Sequence, residues 1–109
     1  MRKLSKEKEK VMNLALNFEG FEHHLVKKDN VYDGVQYLFR FPNNYGASVI
    51  KHGGSYGHRQ DLWELGVIKF DSERTDDWNL TYDTPITDDV IGYLDDIGVK
   101  NLLKEIMEL

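Results

Sequence analysis

The most constraining stretch of this chain is Val35-Gln36-Tyr37-Leu38-Phe39-Arg40-Phe41, followed at once by Pro42-Asn43-Asn44-Tyr45-Gly46. Successive side chains of a strand point to opposite faces, so Val35, Tyr37, Phe39 and Phe41 share one face. Gln36, Leu38 and Arg40 take the other. Proline fixes its own φ, and Asn and Gly tolerate positive φ, so the next residues spell a turn. Ala47 to His52 returns as a second strand. Residues 35–52 therefore read as a hairpin whose apolar face the rest of the chain must cover.

The remaining elements are read around that hairpin. Leu4, Val11, Leu14, Ala15 and Phe18 recur at helical spacing and predict an N-terminal helix from about Ser5 to Phe18, stopped near Gly20. Leu25 and Val26 predict a short strand, with the turn after it at Asp29-Asn30 or Asp33-Gly34. Gly53 to Gln60 reads as a glycine-rich loop. Leu62 to Phe70 is a strand with Trp63, Leu65, Val67 and Lys69 on one face. A polar turn, Asp71 to Asp77, leads to a last strand, Trp78 to Tyr82.

Thr87 before Asp88 and Asp89 predicts the N-cap of a short helix through Val90, Ile91 and Leu94. Asp95 or Asp96 caps a final helix with Val99, Leu102, Leu103 and Ile106 on its apolar face. The expected fold is α+β: an N-terminal helix, a four-stranded mostly antiparallel sheet and two C-terminal helices packed on it. All of it forms a single domain over residues 1–109, with 1–20 as a peripheral helix.

Composition narrows the classes of function. The absence of cysteine removes disulfides, thiolate metal sites and Cys nucleophiles, and fits a reducing cytoplasm. Apolar runs fall far short of the roughly 20 residues that span a bilayer. The charged start MRKLSKEKEK, with no apolar run behind it, does not read as a signal peptide. The net charge of −5 is uneven: residues 1–10 carry five basic and two acidic groups, and residues 71–109 carry three basic and eleven acidic. Such a balance disfavours nucleic acid, whose binding rests on Lys and Arg neutralising phosphates. It suits encounter with a basic protein surface.

Chemical motifs are sparse. Ser55, His58 and Asp61 hold the ingredients of a hydrolytic triad, but all lie on one glycine-rich loop with nothing to fix their geometry. His23 and His24 are adjacent, so on a strand they face apart. His52, His58 and Asp61 remain as the basis of an alternative reading, a small-ligand or metal-dependent enzyme. The glycine loop lacks a phosphate-binding pattern. No catalytic residue, cofactor or metal is assigned.

Long strings of the chain resemble a family of small bacteriophage and prophage proteins. Phe41-Pro42-Asn43-Asn44-Tyr45-Gly46-Ala47-Ser48-Val49-Ile50 is similar to their RFPNGYGASVV run. Tyr56-Gly57 with Leu62-Trp63-Glu64-Leu65 resembles SYG…LWELAV, and residues 82–92 resemble YDTPITDDV(L/I)G. The likeness runs from about Tyr37 to Met107, so 35–107 is the recurring core. The N-terminal helix lies outside it, and the segments His58 to Asp61 and Ser72 to Asp77 differ in length.

The resemblance implies a small phage accessory protein and brings no assigned enzymatic role with it. With the acidic C-terminal third, it leads to an expected interaction protein, such as an inhibitor of a host nucleic-acid-targeting nuclease. The expected surface is Tyr45, Tyr56, His58 and Arg59 with Asp88, Asp89, Asp95 and Asp96. The partner is a host or phage protein, with no membrane contact, and the chain itself is a monomer or homodimer.

Overall fold

The structure is a computed structural model and describes residues 18–109. The predicted N-terminal helix, Ser5 to Phe18, lies outside the described residues except for Phe18, which sits in a turn. The strands are β1 (Leu25–Val31), β2 (Gly34–Arg40), β3 (Tyr45–Lys51), β4 (Trp63–Phe70), β5 (Trp78–Leu80) and β6 (Ile91–Leu94). One helix follows, α1 (Asp96–Met107), besides two short 3-10 turns.

The sheet is an antiparallel meander in the order β1-β2-β3-β4, with β5 and β6 both paired to the far side of β4. The expected four strands are thus six, and the expected two C-terminal helices are one. The residues assigned to the first of those helices form a loop and β6. Thr87 still makes cap-like bonds, its Oγ1 donating to the Asp89 carbonyl at 2.6 Å and accepting the Asp89 N–H at 3.0 Å. A helix there would leave the outer edge of β4 without partners at Trp63 and Leu65, which pair instead with Leu94 and Ile91. Buried backbone groups must be paired, and that need outweighs a local capping signal.

β5 and β6 are two pieces of one edge strand. Ile68 pairs with Leu80 and the Thr81 N–H reaches the Val67 carbonyl at 2.9 Å; the chain then leaves the sheet over residues 82–90 and rejoins opposite Leu65. β1 is longer than expected, because its middle, Lys27 to Asn30, is exposed and carries no apolar alternation. Its turn falls at Tyr32-Asp33, since Val31 pairs with Gly34.

The hairpin and β4 pack as their alternation requires. Tyr37, Phe39, Phe41, Ala47, Val49, Trp63, Leu65 and Val67 are buried under Val99, Leu103 and Ile106 of α1. Phe18 joins them edge-on to Phe39, Tyr37 and Trp63 at centroid distances of 5.7, 5.6 and 5.3 Å. Each such pair adds about 0.5–1.5 kcal/mol to the area it buries. On the opposite face Leu38, Ile68 and Phe70 are buried with Trp78 packed against them.

The helix is clamped at both ends. The Asp95 carboxylate accepts the Gly98 N–H at 2.7 Å, and Asp96 accepts the Trp63 indole N–H at 2.8 Å. At the other end the Asn43 amide donates to the carbonyls of Ile106, Met107 and Leu109 at 2.9, 3.3 and 3.2 Å, while its Oδ1 accepts the Tyr45 N–H. The Ile106 carbonyl also accepts the Leu109 N–H at 3.2 Å, so Asn43 adds donors at the negative end of the helix dipole and ties that end to the β2–β3 turn. Asn43→Asp keeps the Tyr45 bond but sets a carboxylate against carbonyl oxygens. It should cost about 2 kcal/mol in urea unfolding, whereas the neighbouring Asn44→Gly, at φ 67°, should change stability by less than about 0.5 kcal/mol.

Candidate functional site

Three loops meet at the end of the sheet where α1 begins, here the loop end: the β1–β2 turn, the long β3–β4 loop and the end of β6. The β3–β4 loop is tied down rather than loose. Ser55 is buried; its Oγ donates to the His52 carbonyl at 2.8 Å and accepts the His52 N–H at 3.0 Å. The Asp33 carboxylate accepts the Gly53 N–H at 2.7 Å, and Glu64 accepts the Tyr56 N–H at 3.1 Å. The Tyr93 N–H meets the Tyr56 carbonyl at 3.4 Å. Gly92 is required there, because a Cβ on it would collide with the Tyr56 Cβ.

This packing leaves three tyrosines outward: Tyr32 is 93% exposed, Tyr56 60% and Tyr93 61%. Tyr32 and Tyr93 sit at φ 54° and 59°, in the left-handed region that a bulky side chain rarely adopts. Tyr32 stands 5.3 Å from the His52 ring. Tyr56, His58, Arg59 and Tyr93 border one shallow hollow of about 400 Å³. Tyr32 and Tyr93 are absent from the sequence reading, since left-handed backbone is imposed by the surrounding fold. The usable signal at Tyr32 was its place between two strands that pair directly.

The expected surface is therefore divided. Tyr56, His58 and Arg59 lie together at the loop end. Asp95 and Asp96 lie at the same end, beside Lys51 and Trp63, with their carboxylates engaged by Gly98 and Trp63. Asp88 and Asp89 are exposed on the 82–90 excursion. Tyr45 starts β3 at the opposite end of the sheet, half-buried under the Lys69 ammonium at 5.4 Å.

The residues of the alternative enzymatic reading are engaged in the fold or apart. His52 Nδ1 accepts the Gly54 N–H at 3.0 Å. Asp61 pairs with Lys51 at 3.1 Å, and that ammonium lies 4.0 Å from the Trp63 ring. His58 is exposed. Among the described residues no three His, Asp or Glu side chains are grouped to hold a metal ion, and no helix is long and apolar enough to cross a membrane.

No protein-family model, curated protein or solved structure matches this chain.

Hydrogen bonding to the Gly53 amide and to its own backbone holds the Asp33 carboxyl below its ordinary value. A depressed carboxyl stabilises the fold above its unfolded value, about 3.9, and the contribution is lost as pH falls through the lower folded value. The bond joining the β1–β2 turn to the glycine loop is thus complete at neutral pH and released only in strong acid. A carboxyl NMR titration should place Asp33 below ordinary aspartates, with the Gly53 amide shift moving in step.

Proposed function

We propose that this chain is a small accessory protein of the bacteriophage type that acts by binding another protein through the loop end of its sheet. The observation that carries the reading is the set of outward tyrosines, two of them at positive φ. Left-handed backbone costs a residue with a Cβ about 1–2 kcal/mol, and neither side chain contributes to the buried cores. Strain kept at exposed aromatic residues belongs with function rather than with folding.

Tyrosine suits that role. It offers a large, stiff contact surface with a polar tip, and it is enriched at protein interfaces and their energetic centres. The bonds from Glu64, Asp33 and Ser55 order the loop before binding, which lowers the entropy lost on association. The chain's net charge of −5 and the exposed acids Asp88 and Asp89 on the 82–90 excursion favour a partner with a basic surface and speed its encounter. A host defence complex that handles nucleic acid has such surfaces, and its inhibition is the form of the function that the phage-like motifs support. Direct nucleic-acid binding is disfavoured, because the chain is net acidic at −5 and Arg59 is the sole Lys or Arg bordering the hollow at the loop end among the described residues.

The motif residues serve the scaffold. Phe41 and Leu65 are core, Asn43 caps α1, and residues 82–90 form the excursion that splits the edge strand.

Tagged protein incubated with nuclease-treated bacterial lysate should recover one host protein in near-equal amount. Tyr56→Ala should lower that recovery by about tenfold and leave the melting temperature nearly unchanged. Undiminished recovery with the variant would remove the loop end from the account.

A further inference from the structure

The face of the sheet turned away from α1 carries a groove of about 260 Å³. Its floor is Ser48 and Ile50 of β3 with Glu64 and Gly66 of β4, and Leu80 and Val90 flank it from the broken edge strand. Gly66 shapes the floor: a Cβ there would lie 2.6 Å from Leu80 Cδ2. Sites for drug-sized molecules occupy roughly 300–1,000 Å³, so this groove suits a single side chain better than a cofactor.

Its electrostatics are one-sided. Glu64 is half-buried, and the bond it accepts from the Tyr56 N–H comes from a neutral donor. The ion pairs found among the described residues, Lys27–Asp29, Lys51–Asp61 and Arg74–Asp76, do not include it. Among the described residues no Lys or Arg lines the groove; His52 lines it, with its Nδ1 taken by the Gly54 N–H. A carboxylate beside apolar walls and without a counter-cation among the described residues is complementary to a positive group brought by a partner. The walls accept the aliphatic stem that Lys and Arg bury while the head stays polar. A phosphate would meet Glu64 and be repelled.

We infer that this groove seats a Lys or Arg side chain of the partner protein, its stem on Ile50, Leu80 and Val90 and its charged head at Glu64. The inference rests on the protein-binding reading above and supplies its partner chemistry. Glu64 also holds the Tyr56 backbone, so the groove and the tyrosine loop belong to one contact surface.

Two synthetic hexapeptides test it, one alternating leucine with arginine and the other leucine with glutamate, each titrated into the isotope-labelled full chain. The leucine–arginine peptide should move the amides of Ile50, Glu64 and Gly66, and its affinity should fall as salt rises. Glu64→Gln keeps an oxygen for the Tyr56 N–H and should weaken that peptide about tenfold. Val90→Lys, which puts the protein's own cation at the rim, should do the same. Equal binding of both peptides, shifts confined to another surface, or full affinity in both variants would overturn the inference. The captured lysate partner separates the two claims. If Glu64→Gln retains it while Tyr56→Ala loses it, the groove assignment fails and the protein-binding reading stands. If neither variant loses it, both fail.

Discussion

Helix α1 lies over the apolar face of the sheet, and it stays there because both of its ends are bonded to strands or to the turn between them. Trp63 on β4 donates to Asp96 at 2.8 Å, and Asn43 in the β2–β3 turn donates to the last carbonyls, the nearest at 2.9 Å. Between these points Val99, Leu103 and Ile106 bury the aromatic face of the hairpin. The clamp requires β6 to end opposite Trp63, so that Asp95 and Asp96 arrive where the helix begins. It therefore explains why the chain rejoins β4 after residues 82–90 instead of ending its sheet at β5.

That arrangement has consequences at both edges. β1 is an edge strand guarded by Lys27, Lys28 and Asp29 and bent by an irregularity between Leu25 and Lys27. The other edge is interrupted by the excursion. Charges, bulges and breaks are the devices by which sheets avoid pairing with further strands. In the proposed function, recognition falls to the loop end, where the backbone is tied but the side chains face outward, and to the groove on the uncovered face. Loops held on a rigid sheet commonly carry binding residues.

Much of the scaffold was legible in the sequence. The alternation in residues 35–41, the Trp63-Leu65-Val67 face and the apolar stripe of the final helix appear as read, and the turn read at Pro42 to Gly46 is shorter, closing at Asn44 with β3 starting at Tyr45. Failures occurred where tertiary demand outweighed local signal. Lys27 to Asn30 looked like no strand because an edge strand exposed along its length needs no apolar period. Thr87-Asp88-Asp89 looked like a helix start because its side chains bond the nearby backbone as a cap does, while the edge of β4 determined what followed. The candidate site was half visible: Tyr56, His58 and Arg59 fall on the loop that the glycines mark. Tyr45 was misjoined to them, since strand direction sends it to the opposite end of the sheet. Tyr32 and Tyr93 depend on positive φ, which residue type does not reveal in a tyrosine.

The central claim is that the exposed tyrosines are held in strained backbone for binding and not for folding. Its most direct test is the double variant Tyr32→Gly, Tyr93→Gly, measured for unfolding free energy and for capture of the lysate partner together. Glycine adopts left-handed backbone without a Cβ penalty. The account predicts stability unchanged or raised by up to about 1 kcal/mol per site, with capture lost. A clear fall in stability with capture intact would show that the tyrosines serve the fold, and would contradict the account.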